Sequence, residues 1–166
     1  MGVSAAGKSS VAERLAGMLG VPWRDADALH PPQNVAKMAG GAPLTDEDRR
    51  AWLDAVGRAL AEGAASGGLV MACSALRRAY RDRLRDHAPG AVFVHLTGRP
   101  ELLARRAAAR KAHFMPPSLL PSQLAALEPL DTDEAGVTID VAPPVADIAA
   151  AAAAWVRGHG EGGSGP

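Results

Sequence analysis

Apolar residues along this chain fall into two kinds of pattern, helical repeats and short unbroken runs. Val11, Leu15 and Met18/Leu19 recur at helical spacing and Gly20 follows them, which predicts a helix with a glycine stop. Val21 to Asp25 reads as a short strand, with Pro22 acceptable at its start, running into Asp25-Ala26-Asp27. His30-Pro31-Pro32 opens a turn into a short helix through Asn34, Lys37 and Met38, which Gly40-Gly41-Ala42-Pro43 breaks. Trp52, Val56 and Leu60 share one face of a helix from about Asp46 to Ala65, headed by the capping-box pair Thr45 and Asp48. Leu69 to Cys73 and Ala91 to Leu96 are continuous apolar runs, as expected for parallel strands covered on both faces. Between them Ala75 to Asp86 reads as a strongly charged helix. Pro100 suits a first helical position, and that helix is expected to reach about Lys111. Ser122 to Leu127 reads as a short helix and Val137 to Val141 as the last strand. Val145, Ile148, Ala152, Trp155 and Val156 give a final helix one apolar face.

Strands alternating with helices predict an α/β fold with a parallel sheet, whose ligands sit at the carboxyl ends of the strands. One domain is expected over residues 1–157, with a mobile flap at about 111–121 around His113-Phe114-Met115-Pro116-Pro117. A disordered Gly/Ser-rich tail is expected over 158–166. Lys and Arg balance Asp and Glu at 18 each, so no overall basic field argues for nucleic acid. The single cysteine, Cys73, excludes an intrachain disulfide framework and fits a reducing cytoplasm. The longest apolar run, Ile148 to Val156, is too short to span a bilayer, and no targeting segment is expected.

The strongest chemical signal is Gly2-Val3-Ser4-Ala5-Ala6-Gly7-Lys8-Ser9, which fits the phosphate-binding pattern G-x-x-x-x-G-K-[ST]. Small residues let backbone N–H groups turn inward around a phosphate chain. Lys8 brings a charge to the terminal phosphates, the Ser9 hydroxyl can join a Mg²⁺ shell, and the helix behind the loop aims its positive end at the same anion. A buried strand should deliver the chain to such a loop, yet only Met1 precedes Gly2. The first central strand is therefore expected to be missing, with Met1 standing at its end and apolar, β-branched residues upstream. Its neighbours would be left with unpaired backbone groups, and the loop would be held loosely.

Asp25 and Asp27 stand at a strand end beside this loop. One could serve Mg²⁺ and the other accept a proton from a substrate hydroxyl, or both could be solvated turn residues. Arg77 to Arg85 could be a solvated helix face or an anion site, and Arg106 and Arg110, one above the other, could clamp phosphate or form surface pairs. His30 and His113 each sit beside a turn, which favours a functional reading over packing.

With these motifs in place the sequence resembles the gluconokinases of the P-loop kinase group, relatives of shikimate kinase and adenylate kinase. The resemblance runs through the loop, Asp25-Ala26-Asp27-Ala28-Leu29-His30-Pro31, Cys73-Ser74-Ala75-Leu76-Arg77-Arg78, Arg110-Lys111-Ala112-His113-Phe114-Met115 and Ser122-Gln123, covering the chain to about Asp140. It implies a three-layer fold with a small helical flap, and ATP- and Mg²⁺-dependent phosphorylation of D-gluconate on its 6-hydroxyl, with a homodimer possible. By the same resemblance Gly2, Ser4, Ala5, Ala6, Gly7, Lys8, Ser9 and Ser10 bind nucleotide with Arg106 and Arg110. Lys8, Asp27 and Arg110 are catalytic, with Asp27 as base, while Ser9 and Asp25 serve the metal. Arg81, helped by Arg49, Ser74, His30, Arg78 and His113, is expected to hold the sugar acid beside Asp27. The family loop commonly reads Ser-Gly-Ser-Gly where Ala5 and Ala6 occupy the middle, and Ala26 and Ala112 replace usual glycines; an alanine costs about 1 kcal/mol or more wherever φ must be positive. The competing readings are a shikimate-type kinase and a nucleotide-binding protein without turnover.

Overall fold

The apolar repeats become the helices and strands they predict. The computed structural model describes residues 1–109 and 117–161. Helix α1 (Lys8–Leu19) starts behind Gly7, held at φ 87°, and is closed by Gly20 at φ 71°. Strand β1 (Trp23–Asp25) leads through a tight turn over Ala26–Leu29 to α2 (Pro32–Ala39). Helix α3 (Asp46–Ala65) carries the expected capping box: the Asp48 N–H donates to Thr45 Oγ1 at 3.2 Å and the Thr45 N–H to Asp48 Oδ2 at 2.7 Å.

Strand β2 (Val70–Ala72) pairs in parallel with β1, Trp23 opposite Val70 and Asp25 opposite Ala72. Strand β3 (Phe93–Thr97) follows α4 (Arg78–His87) and pairs in parallel with β4 (Gly136–Asp140), Phe93 opposite Gly136. Helices α5 (Pro100–Ala109), α6 (Leu120–Ala126) and α7 (Val145–Glu161) complete the described chain. Helix α1 packs against α7 and α3 against α4. One apolar cluster joins Val11, Leu96, Leu103 and Ile148, and another joins Trp52, Val56, Cys73, Leu84 and Phe93. Helices thus sandwich the strands in a three-layer α/β arrangement.

The sheet is interrupted between β2 and β3. Where a central strand was expected to be missing, Met1 and Gly2 reach the chain on either side of the gap. The Met1 amine donates to the Val94 carbonyl, the Leu96 N–H donates to the Met1 carbonyl at 2.8 Å, and the Gly2 N–H reaches the Ser74 carbonyl at 3.1 Å.

Two boundaries differ from the sequence reading. Helix α4 begins at Arg78 rather than near Ala75, because Ala75 is left-handed at φ 42° and Arg77 is extended at φ −106°, ψ 151°. The alanine-rich α7 runs on through Glu161, past the tail boundary expected at Gly158. Most of the expected flap lies outside the described residues, and its end forms a tight turn over Pro117–Leu119 and the start of α6.

Candidate active site

The glycines of the loop are there for space and conformation. Gly2 has φ 142°, and a Cβ on it would stand 2.5 Å from the Leu96 carbonyl oxygen. Gly7 turns the chain left-handed into α1, so the first N–H groups of that helix open toward the loop. Of the described alanines that replace glycine, Ala5 takes positive φ, at 63°, a strain of about 1–2 kcal/mol. Its methyl and that of Ala6 pack in the cluster with Val3, Leu76 and Leu120, which offsets part of that cost. Ala26 has an ordinary φ, and Ala112 lies outside the described residues.

Lys8 Nζ donates to the Val3 carbonyl at 3.0 Å, folding the lysine over its own loop. Ser9 Oγ donates to Asp25 Oδ2 at 2.6 Å, while Asp25 Oδ1 accepts the Asp27 N–H at 3.0 Å. One carboxylate thereby ties the start of α1 to the end of β1. A hydroxyl and an acidic oxygen side by side at the head of a phosphate loop are the donor set a Mg²⁺ ion favours.

Lys8, Ser9, Asp27, His30, Arg49 and Ser74 converge on one polar pocket. The pocket is narrow, about 50 Å³. A far larger cavity of about 510 Å³ lies inside the interrupted sheet, but its lining is overwhelmingly apolar, and the charged groups decide where chemistry is done. The His30 ring stacks on Trp52, centroids 4.3 Å apart and planes 11° from parallel. Trp52 is itself fixed by its Nε1–H, which donates to the Ala26 carbonyl at 2.7 Å. Burial, reinforced by the Arg49 charge, lowers the His30 pKa to about 4, so the ring is neutral at physiological pH. Its Nδ1 is buried with no hydrogen-bond partner among the described residues. Such an atom is costly unless a ligand pairs with it. Arg49 is braced before any ligand arrives: it donates to the Leu44 carbonyl and lies 5.6 Å from the Tyr80 ring centroid.

Two expected acid ligands do not face this pocket. Arg81 is fully buried and binds Glu134 through two bonds, Nε to Oε1 at 2.7 Å and Nη2 to Oε2 at 2.6 Å. It also donates to the carbonyls of Glu128 and Pro129 at 3.1 and 3.0 Å and, at longer range, to those of Ala75 and Leu76 at 3.4 and 3.5 Å. Arg78 forks onto Asp133 at 2.6 and 2.7 Å and reaches Asp131 at 3.0 Å. Both arginines tie the loop before β4 to α4. Arg106 donates to the Val141 carbonyl at 3.0 Å, tying α5 to the end of β4. Arg110 and His113 lie outside the described residues.

The structure adds two residues that sequence reasoning gave no site role. Trp52 was read as core, and it is also the platform for His30. Gln123, on α6, accepts the loop's Ser4 N–H on Oε1 at 2.6 Å and lines the pocket. The signals for Gln123 were its place in the Ser122-Gln123 segment of the resemblance and a polar side chain set among Leu119, Leu120 and Leu124.

A parallel α/β frame that presents a phosphate loop to an adjoining polar pocket is that of a P-loop kinase acting on small molecules. The family model described as Shikimate kinase matches residues 4–128. A gluconokinase of Gluconobacter oxydans is 50% identical over 135 residues, covering 81% of this chain and 76% of its own. The thermoresistant gluconokinase of Escherichia coli is 39% identical, covering 90% and 87%. The crystal structure of a gluconokinase from Sinorhizobium meliloti superposes with a TM-score of 0.87 at 48% identity, covering 98% of this chain and 91% of that one. The chain belongs to the gluconokinase family and is an enzyme, a kinase.

Proposed function

We propose that this protein transfers the terminal phosphoryl group of ATP to the 6-hydroxyl of D-gluconate, giving 6-phosphogluconate. The observation that carries the reading is the Ser9–Asp25 contact of 2.6 Å beside a pocket that gathers Asp27, His30, Arg49 and Ser74. Loop N–H groups and Lys8 hold the phosphates, and Arg106 and Arg110 complete the nucleotide side. Ser9 and Asp25 would hold Mg²⁺, which when bound neutralises phosphate charge. Asp27 accepts the proton of the attacking hydroxyl, which leaves the oxygen free to bond phosphorus. Arg49 pairs with the substrate carboxylate, and neutral His30, with Ser74 and His113, reads the sugar hydroxyls. The single buried cysteine supports a cytoplasmic setting.

Coupled ATP-consumption assays with gluconate, shikimate and related acids test the reading. Turnover is expected with gluconate. Turnover with shikimate alone, or ATP binding with no turnover on any acid, would overturn it.

Two substitutions test the assigned roles. Asp27→Asn should lower kcat at least about 10²-fold with little change in ATP affinity, the signature of a lost proton acceptor. If Asp25→Asn gives that pattern and Asp27→Asn instead weakens Mg²⁺ dependence, the two roles are exchanged. His30→Leu should raise KM for gluconate roughly 5- to 30-fold, the worth of one or two buried hydrogen bonds. Because the His30 pKa is lowered to about 4, the substitution should leave the shape of the pH–rate profile near neutrality unchanged. A profile that loses a limb near pH 6.5 would show that the ring titrates there.

A further inference from the structure

Arg49, the proposed partner of the substrate carboxylate, has an acidic neighbour of its own. Asp46 lies one turn back on α3 and brings Oδ1 within 3.9 Å of Arg49 Nη1, close enough for an ion pair and too far for a hydrogen bond. A carboxylate tethered on the same helix competes with any ligand at the high effective concentration of an intramolecular group. Both oxygens of Asp46 are nevertheless engaged elsewhere. Oδ1 accepts the Tyr80 hydroxyl, and Oδ2 accepts Arg77 Nη1 at 2.8 Å. Arg49 in turn spends only Nη1 on its neighbours, donating to the Leu44 carbonyl and, at 3.4 Å, to the Tyr80 oxygen. Among the described residues its Nε and Nη2 make no hydrogen bond. Those two nitrogens form the edge that grips a carboxylate with two bonds, the edge Arg81 turns to Glu134.

The turn after Ser74 places the two groups that occupy Asp46. Ala75 is buried and left-handed at φ 42°, and Arg77 is extended, so α4 starts only at Arg78. The Arg77 side chain thereby reaches Asp46 at the head of α3, 31 residues earlier in the chain. Tyr80, buried in the first turn of α4, sets its ring between two guanidiniums, its centroid 5.6 Å from Arg49 Cζ and 5.9 Å from Arg77 Cζ. Burial, reinforced by the Asp46 hydrogen bond, pushes the Tyr80 pKa up, so the hydroxyl keeps the proton it donates to Asp46. We propose that Tyr80 and Arg77 are positioning residues for the acid substrate: they hold the Asp46 carboxylate off Arg49 and leave one edge of that guanidinium open to the substrate carboxylate. The inference rests on Arg49 as the carboxylate partner. The Asp46 side chain is 61% exposed and has room to turn. Losing either hold frees it to cover Arg49, and the substrate then binds only the fraction of molecules in which Arg49 is uncovered.

The test compares Tyr80→Phe, Arg77→Gln and Arg49→Gln with the parent chain, measuring KM for gluconate and for ATP in the coupled assay. Tyr80→Phe keeps the ring, and the Arg77 side chain is 40% exposed, so both variants should fold, which thermal melts check. Each should raise KM for gluconate roughly 3- to 10-fold and leave KM for ATP and kcat within about twofold. Asp46→Asn removes the competing charge, so adding it to either variant should return KM for gluconate to within about twofold of the parent. A merely structural loss would not be repaired by altering a further hydrogen-bond partner. An unchanged KM for gluconate in either variant, a rise shared equally with KM for ATP, or a rise that Asp46→Asn fails to rescue would overturn the inference and leave Arg49 its role. If Arg49→Gln itself leaves KM for gluconate unchanged, the carboxylate assignment falls and the inference falls with it.

Discussion

Replacing Lys8 with methionine is expected to lower kcat at least about 10³-fold while the protein unfolds at nearly the same temperature. Lys8 stands at the first position of α1, and its Nζ donates to the Val3 carbonyl of its own loop at 3.0 Å. Methionine has a similar length and can follow the same path over the loop, so the scaffold loses little. The transition state loses a positive charge where negative charge shifts onto the leaving oxygen, and among the described residues no other lysine lines this pocket. In a water-poor site one such charge is worth several kcal/mol, because the surrounding medium screens it weakly. Single-turnover kinetics at saturating ATP and gluconate, with circular dichroism melts in parallel, separate the two effects. A methionine variant that turns over at near the parent rate would remove the loop from the catalytic assignment.

The second large effect concerns stability. Arg81→Ala should cost about 3–5 kcal/mol of folding free energy, a large part of a typical 5–15 kcal/mol. The guanidinium and the Glu134 carboxylate are both buried and bound at 2.6 and 2.7 Å. Removing the arginine leaves an anion in the interior answered by Arg85 at 3.0 Å and by the Asp131 N–H at 3.0 Å. The thermal midpoint should fall by roughly 10 °C, while KM for gluconate in the folded fraction stays unchanged. A raised KM with an unchanged midpoint would return Arg81 to the substrate site. Replacing both partners, Arg81→Met with Glu134→Leu, should recover most of the loss, because no charge is then stranded. The same pair sets an acid limit. Arg81 holds the Glu134 pKa at about 2 instead of 4.5, so the folded state binds this proton more weakly than the unfolded chain. Its contribution is fully present above about pH 4.5 and declines as the pH falls toward 2.

The contrast between Arg81 and Arg49 shows where sequence reasoning loses its hold. Both are arginines on charged helices, and both were candidates for the substrate carboxylate. Arg81 meets Glu134, 53 residues away, and is sealed in by carbonyls of the loop before β4. Arg49 meets Leu44 and Tyr80 at the pocket wall. No local pattern separates the two, because the deciding partners come from distant parts of the chain. Ala5 and Ala26 divide for the same kind of reason: both replace expected glycines, and only the loop's curvature puts Ala5 at positive φ.

The sequence by itself determined the order of helices and strands, the phosphate loop, the capping box of α3 and the family. Each of these rests on neighbours within a few residues, on a period of side chains or on a motif that carries its chemistry in its own backbone. It also foretold the interruption in the sheet, since a loop of this kind needs a strand before it. Only the tertiary structure decided which arginines face the pocket, that Trp52 and Gln123 belong to it, and that Met1 and Gly2 reach the chain on either side of the gap in the sheet. Those outcomes depend on charges, rings and strand edges that meet after the chain has folded back across many tens of residues. A one-dimensional pattern holds no record of which of several like residues will find the distant partner first.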